Sequence, residues 1–159
     1  MQRPDVVIAT VEHELDPVGQ ITYSPLGQGV LTGKYPPAQA APRGSRAAMR
    51  ILTGSIARYF SPELRERVEL LRPIAESSGL SLAQLAIAWV LRNRYVAAAI
   101  IGASRPEQIS ENVKAVGTQI DDEVMVEIDT VLGDIVDRDP AKAGKPYDVM
   151  ARWQAPESQ

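Results

Sequence analysis

The sequence contains no cysteine and a single histidine. The missing cysteine excludes disulfides, thiolate metal sites and a cysteine nucleophile, and it leaves the redox compartment open. One histidine excludes a metal site built from several imidazoles of one chain. That residue, His13, lies between Glu12 and Glu14. A surface histidine among acids is the favoured interpretation, and we assign it no role as a base.

Long hydrophobic runs and a large charge imbalance are also missing. No apolar run approaches the roughly 20 residues that a membrane helix needs. The apolar patch Val6–Val11 is too short for a secretory signal, and it could be a buried strand or the start of a helix. The formal net charge of −3 does not indicate wholesale nucleic-acid binding. We therefore expect a cytoplasmic protein without a membrane span or a nucleic-acid partner.

The central part of the sequence alternates between strand and helix patterns. Ile21–Leu26 begins with β-forming residues and ends at a proline, which predicts a short strand. Tyr95–Ile101 is apolar after its first residue, which predicts a strand buried on both faces in a parallel sheet. Two helices are predicted between them: Ser61–Gly79, bent at Pro73, and a second helix that starts at Ser81. This order is typical of an α/β fold.

The helices carry recognisable caps and apolar stripes. Ser61 and Pro62 suit an N-cap and a first helical residue, and Ser81 with Gln84 forms a capping box. A last helix is predicted from Asp121 or Asp122 to Gly133. The stripes predicted to be buried are Leu64, Val68, Leu71, Ala75 with Ile74 beside it, then Leu82, Leu85, Ala86, Trp89, and finally Val124, Ile128, Val131 and Leu132.

A strand, a tight turn and a helix start follow one another in Ile100–Asn112. Gly102 turns the chain, and Ser104 with Glu107 predicts a capping box. A helix N-terminus carries about half a positive charge and suits phosphate. The fixed cation of Arg105 adds to this attraction. An ordinary capped helix explains the same residues without any ligand.

This predicted helix has two different faces. Gln108, Glu111 and Asn112 share one face, where they offer donors and acceptors. Ile109, Val113 and Val116 form an apolar stripe that can seat the helix on a sheet. The first set is a candidate ligand surface, and the second is a candidate packing surface.

Three glycines follow the first predicted strand and precede Lys34. The segment fails as a Walker A loop, because Gln28 replaces the first glycine and Tyr35 follows the lysine. It also fails as a dinucleotide fingerprint, because Thr32 replaces the last glycine. On spacing alone, Gly27, Gly29 and Gly33 are turn glycines.

Two segments, Y-S-P-L-G-Q-G-V-L-T-G-K-Y and G-A-S-R-P-E-Q-I-S-E-N, resemble cofactor-binding segments of the aldo-keto reductases. With L-A-Q-L-A-I-A-W-V-L-R-N, they are most similar to the branch that includes β-subunits of voltage-gated potassium channels. The resemblance covers roughly Ile21 to Leu132. It implies an α/β chain that forms the C-terminal portion of a (β/α)8 TIM barrel. The expected domain is 1–133, followed by a polar tail, 134–159.

The resemblance implies NADP(H) as cofactor. In the family, an aromatic residue at the position of Tyr23 stacks on nicotinamide, the backbone after it lines the pyrophosphate, and cations at the positions of Lys34 and Arg46 reach the phosphates. The later segment grips the adenosine 2′-phosphate end. The implied cofactor-binding residues are Tyr23, Ser24, Pro25, Leu26, Gly27, Gln28, Lys34, Arg46, Gly102, Ser104, Arg105, Gln108, Glu111 and Asn112.

The resemblance also identifies what this sequence does not match. The family reduces carbonyls with a tyrosine acid helped by lysine, aspartate and histidine from earlier strands, and no stretch here matches those segments. We therefore assign no catalytic residue. Two functions remain: NADPH-dependent carbonyl reduction, with this chain as the cofactor-binding half of a completed barrel, or a truncated non-catalytic nucleotide-binding or regulatory module.

Two further expectations concern the long loop and assembly. The loop from Lys34 to Tyr59 is either a lid over the cofactor or a linker. A small carbonyl substrate is expected only if the barrel is completed. The chain is expected to self-associate or to need a partner chain, because the predicted strands are too few to close a ring.

Overall fold

The computed structural model of this chain describes residues 20–49, 56 and 59–136. His13, Val6–Val11 and most of the predicted tail lie outside the described residues. Among the helices described, none is by itself long and apolar enough to cross a membrane. Pro62–Ser77 and Leu82–Leu91 taken together have the length and apolar composition of a membrane span, but the two parts are bent by 86° relative to each other. The elements are β1 (Gln20–Tyr23), α1 (Pro62–Leu70), α2 (Arg72–Ser77), α3 (Leu82–Leu91), β2 (Val96–Ile100), α4 (Pro106–Val113) and α5 (Asp122–Leu132), with 3₁₀ turns at Gly27–Thr32, Arg46–Ala48 and Gly133–Ile135.

The two strands pair in parallel, and the chain between them crosses over through α1, α2 and α3. Tyr23 at the end of β1 lies opposite Ile100 at the end of β2. Because the strands run in the same direction, the segments that follow them leave from one edge of the sheet. The prediction of an α/β fold with these two strands is confirmed.

The starts of α1 and α3 follow the predicted caps, whereas Asp121 precedes α5 without a side-chain bond to a backbone N–H of that helix. The Ser61 hydroxyl accepts the Leu64 N–H at 3.1 Å, and Pro62 is the first residue of α1. At the start of α3, the Gln84 N–H donates to the Ser81 hydroxyl at 3.2 Å, and the Ser81 N–H donates to the Gln84 side-chain oxygen at 2.9 Å. The helix predicted over Ser61–Gly79 is interrupted near Pro73, since α1 ends at Leu70 and Pro73 lies in the first turn of α2.

The hydrophobic core lies among the helices on one side of the strand pair. Helix α3 packs against β2, the Gly27–Thr32 turn, α2 and α4, and α5 packs against α1 and α2. The stripe predicted for the first helix is buried, as are Leu82 and Leu85 of α3 and Ile128 of α5. The half-buried members of the predicted stripes are Ala86, Trp89, Val124, Val131 and Leu132. The buried apolar residues are Val30, Tyr35, Ile56, Leu64, Val68, Leu71, Ile74, Ala75, Leu82, Leu85, Ile87, Ala88, Ala115, Ile120 and Ile128.

One face of the strand pair is open, which contradicts the prediction that the second strand is buried on both sides. Ile21, Tyr23 and Ile100 are 65%, 69% and 58% exposed. The prediction used the apolar sequence of the strand and assumed a complete sheet around it. The described residues provide helices for one face only, so apolar side chains on the other face remain uncovered.

The apolar stripe of α4 is also exposed, and the prediction that it seats the helix on a sheet is wrong. Ile109, Val113 and Val116 are each half exposed or more. Helix α4 instead buries Asn112 and packs against α3, where the Gln84 side-chain amide donates to the Glu111 backbone carbonyl at 3.0 Å. Contact with α3 fixes the rotation of α4, and this rotation turns the stripe outward.

The Ser61 cap provides a first prediction. Ser61→Ala should lower the free energy of unfolding by about 1 kcal/mol, because the Leu64 N–H loses its acceptor. Ser104→Ala is the matched control, because the exposed Ser104 hydroxyl donates to a side chain and caps no backbone N–H. Urea denaturation measures the free energy of unfolding of both variants. An equal decrease in both would show that the hydrogen bond at Ser61 does not stabilise the chain beyond the effect of removing a hydroxyl.

Candidate functional site

The candidate site lies at the edge where both strands end. Tyr23 is exposed on the open face, and the chain then turns at Ser24, which has a φ of +55°. Pro25 is buried behind this turn. After β2, the chain leaves the sheet through Ile101 and Gly102 at the same edge. The two segments that resemble cofactor-binding segments are therefore neighbours in space, although 66 residues lie between them in the chain.

The turn after β1 is compact and left-handed over three consecutive residues. Gly27, Gln28 and Gly29 have φ values of +52°, +59° and +96°. The Gly27 N–H donates to the Ser24 carbonyl at 2.9 Å, and the Gly29 N–H donates to the Leu26 carbonyl at 2.8 Å. Glycine adopts these angles without a steric penalty, which accounts for the glycines on either side of Gln28.

Gln28 connects this turn to the following loop. Its amide nitrogen donates to the Ser24 hydroxyl at 2.9 Å, and its amide oxygen accepts from the Arg46 guanidinium. The guanidinium also lies close to Gly102, since a Cβ added to that glycine would be 3.6 Å from the Arg46 Nη2. The described part of the long loop thus folds back over the turn, and Arg46 spans the ends of both strands.

A second cation, Lys34, lies beside the same turn. Its Nζ is 5.1 Å from the centre of the Tyr35 ring. A Cβ added to Gly29 would lie 2.7 Å from the Lys34 Cε and Nζ, so the lysine side chain passes directly over this glycine. Lys34 and Arg46 therefore both contact the Gln28–Gly29 part of the turn, and together they make it electropositive.

The start of α4 differs from the predicted capping box. The helix begins at Pro106, so Arg105 is its N-cap, and Glu107 takes no part in a box. The Gln108 side-chain oxygen instead accepts from the N–H groups of Ser104 and Arg105, at 2.8 and 3.3 Å, and from the Ser104 hydroxyl at 3.2 Å. The prediction placed the cap one residue early because serine is a strong N-cap residue and arginine has no acceptor.

Arg105 is an exposed cation at the start of α4. Two N–H groups at the helix start are already bonded to Gln108, and Pro106 has none to offer. Arg105 is exposed, and no carboxylate in the described part of the chain forms an ion pair with it. Its guanidinium lies next to the start of α4, the positive end of that helix.

Glu111 and Asn112 lie further along α4, next to α3. The Glu111 carboxylate pairs with Lys114 at 2.6 Å and lies 3.4 Å from the Gln84 amide, while Asn112 is buried. The structure thus brings together Tyr23 through Gln28, Lys34, Arg46 and Gly102, with Ser104, Arg105 and Gln108 following in the chain. The three residues predicted to share a face have different contacts: Gln108 caps the helix start, Glu111 contacts Gln84 and Lys114, and Asn112 is buried.

Sequence reasoning missed two residues that shape this site. Gln84 was assigned only to a cap, yet it also bonds to the Glu111 carbonyl and so holds α4 against α3. Gly29 was assigned only to a turn, yet its missing Cβ leaves the space that Lys34 occupies. Neither role has a local sequence signal, because each depends on a side chain elsewhere in the chain.

An ion pair supports the end of the turn. Arg72 pairs with Glu69 at 2.9 Å, and the hydrogen bond to this carboxylate raises the pKa of Arg72. The Arg72 guanidinium also donates to the Gly33 carbonyl at 3.5 Å. A Cβ at Gly33 would lie 2.5 Å from Arg72 and 2.6 Å from Leu82, so glycine is needed there for close packing.

Comparison with known proteins places these observations in a family. The sequence model of the Aldo/keto reductase family matches residues 3–132. Over 119 residues, the chain is 41% identical to a Schizosaccharomyces pombe protein provisionally named a voltage-gated potassium channel subunit beta, with 72% of this chain and 34% of that protein covered. Over 99 residues, it is 46% identical to an Arabidopsis thaliana protein named in the same provisional way, with 62% and 30% covered.

A solved structure shows the same architecture. The glycerol dehydrogenase of Gluconobacter oxydans, an aldo-keto reductase with a TIM barrel, matches with a TM-score of 0.56 and 25% sequence identity. The match covers 81% of this chain and 36% of the dehydrogenase. The chain therefore spans about a third of the length of its relatives, and its helices and parallel strands correspond to part of a barrel. The chain belongs to the aldo/keto reductase family.

Proposed function

We propose that this chain binds NADP(H) and forms the cofactor-binding part of an oxidoreductase that reduces carbonyl compounds. The observation that carries the proposal is the meeting of the two cofactor-type segments at one sheet edge, where Arg46 connects Gln28 to the vicinity of Gly102. In parallel α/β folds, ligands bind at the carboxyl ends of the strands, and in TIM barrels active sites lie at that end.

The residues at this edge fit a dinucleotide. Tyr23 offers an exposed aromatic face for a flat ring. Lys34 and Arg46 provide positive charge beside the glycine turn. Arg105 provides a guanidinium for a 2′-phosphate at the far end of the molecule. When bound, the cofactor would supply a hydride, and this chain's residues would hold and orient it.

Carbonyl reduction would require groups from the rest of a barrel. The substrate carbonyl must be polarised as it accepts the hydride, and a proton donor does this in the family. We therefore place the substrate site, for a small carbonyl compound, between this chain and the segments that complete the barrel. Those segments would be supplied by a partner chain or by another part of the same polypeptide, and they would also cover the open face of the strand pair.

A regulatory role is the second candidate, because two relatives with 41% and 46% identity are provisionally named potassium channel β-subunits. In that role, the chain would bind nucleotide without reducing a carbonyl. The two candidates differ in turnover. NADPH oxidation in the presence of a panel of aldehydes, by the completed protein, supports the enzyme, whereas nucleotide binding without turnover supports the regulatory module.

Cofactor choice provides the direct test of binding. In calorimetric titrations, the chain should bind NADPH more tightly than NADH, because only NADPH carries the 2′-phosphate that Arg105 would bind. ATP, which has phosphates but no nicotinamide or 2′-phosphate, is the matched control for unspecific attraction to the cations. Equal affinity for NADPH and NADH would contradict the proposed phosphate site, and the absence of any binding would contradict the proposed function.

A further inference from the structure

The Lys34 side chain is exposed, but its neighbours restrict its direction. Its stem passes over the bare Cα of Gly29, and its ammonium lies above the Tyr35 ring. No carboxylate of the described residues forms an ion pair with Lys34. A free lysine would sample many rotamers, and holding it in one of them lowers the entropy lost when it binds an anion.

Tyr35 is buried, and its ring packs against another aromatic ring. It is 3% exposed, and its ring meets Phe60 edge-on with the ring centres 5.1 Å apart. The Arg65 guanidinium lies 4.6 Å from the Phe60 ring centre and donates to the Pro36 carbonyl at 3.1 Å. This Lys–Tyr–Phe–Arg stack connects the turn to α1.

The Tyr35 ring, rather than its hydroxyl, makes these contacts. The hydroxyl is buried, and it has no hydrogen-bond partner in the part of the chain that the structure describes. A buried hydroxyl without a partner is unfavourable compared with a phenyl hydrogen. A phenylalanine at this position would therefore keep the face on which the Lys34 ammonium rests.

We infer that Tyr35 and Gly29 are positioning residues that hold the Lys34 ammonium over the Gln28–Gly29 turn, where it binds a phosphate of the dinucleotide. The inference rests on the proposed function. Tyr35 contributes the electron-rich ring face, and Gly29 contributes the space that a Cβ would fill. Neither residue touches the cofactor through its own side chain; both act through Lys34.

A double-mutant cycle tests this, with NADPH affinity measured by calorimetry. Tyr35→Leu should weaken NADPH binding about two- to fivefold, which is the size expected from loss of an exposed cation–π contact. In a chain that already carries Lys34→Ala, the same substitution should change the affinity little, because the residue it positions is gone. Tyr35→Phe should retain the affinity of the unmodified chain.

A second double-mutant cycle uses Gly29→Ala. Gly29 is only half-buried, whereas Tyr35 lies in the hydrophobic core. Gly29→Ala should weaken NADPH binding when Lys34 is present, and much less when the chain carries Lys34→Ala. The backbone strain that alanine causes at a φ of +96° is the same in both chains, so it does not account for the difference. Equal losses in both backgrounds, for both substitutions, would overturn the positioning role while leaving the proposed function intact. If the unmodified chain binds no NADPH, the proposed function fails, and this inference fails with it.

Discussion

Arg105→Ala should weaken NADPH binding by about 1–3 kcal/mol, roughly five- to 150-fold, while NADH binding stays nearly unchanged. The guanidinium is exposed beside the start of α4, and it forms no ion pair with a described residue. The nearby N–H groups of Ser104 and Arg105 already bond to Gln108, so the guanidinium is the main group left for a 2′-phosphate. Isothermal titrations with both nucleotides measure the change in their ratio.

Arg94→Ala is the matched control. It removes the same charge from another exposed arginine, which precedes β2 and therefore lies at the opposite end of the strand from the candidate site. Its guanidinium contacts Tyr95 and no residue of the site. A general electrostatic effect would weaken NADPH binding equally in both variants. An unchanged ratio of NADPH to NADH affinity in Arg105→Ala would show that the phosphate role is wrong.

Local features of the fold could be predicted from the sequence because their causes are local. The caps at Ser61 and Ser81 require only a hydroxyl and a backbone N–H three residues away, and the structure has both bonds. The interruption of the helix near Pro73 follows from one missing backbone N–H. The stripe of α1 is buried because its apolar residues recur with the helical period.

Features that depend on distant residues could not be predicted in this way. The rotation of α4 depends on a bond between Gln84 and Glu111, which lie 27 residues apart. With this bond formed and Asn112 buried, Val113 faces outward, contrary to the expectation from the apolar period. The cap at Arg105 likewise depends on the reach of Gln108, which competes with the stronger intrinsic preference of Ser104.

The site was predicted in part, for a related reason. Resemblance identified two segments, and the parallel register that places Tyr23 opposite Ile100 explains why they meet. Resemblance did not reveal what holds the cations. The space over Gly29 for Lys34 and the acceptor on Gln28 for Arg46 become visible only in three dimensions. Nucleotide binding by these residues stays a prediction that the titrations test.

The isolated 159-residue chain is expected to self-associate or to require a partner chain. The open strand face exposes Ile21, Tyr23 and Ile100, and α4 exposes the stripe that contains Val113. Within the described residues, each strand pairs on one edge only. Free strand edges beside exposed apolar surface pair with other chains, so burial of these surfaces in an assembly is favourable.

Sedimentation over a range of concentrations tests the assembly, because a monomer of 17.3 kDa is distinguished easily from dimers and larger species. Hydrogen exchange at Ile100 and Ile101 should show protection that rises with protein concentration, since the partner covers this edge. Val113→Lys should shift the distribution toward monomer if the α4 stripe takes part, and Ser110→Lys, with the same charge on the same helix, controls for added charge. A sharp monomer at all concentrations, with strongly protected β2 amides, would show that residues beyond those described close the core, and that the chain does not need a partner to complete its sheet.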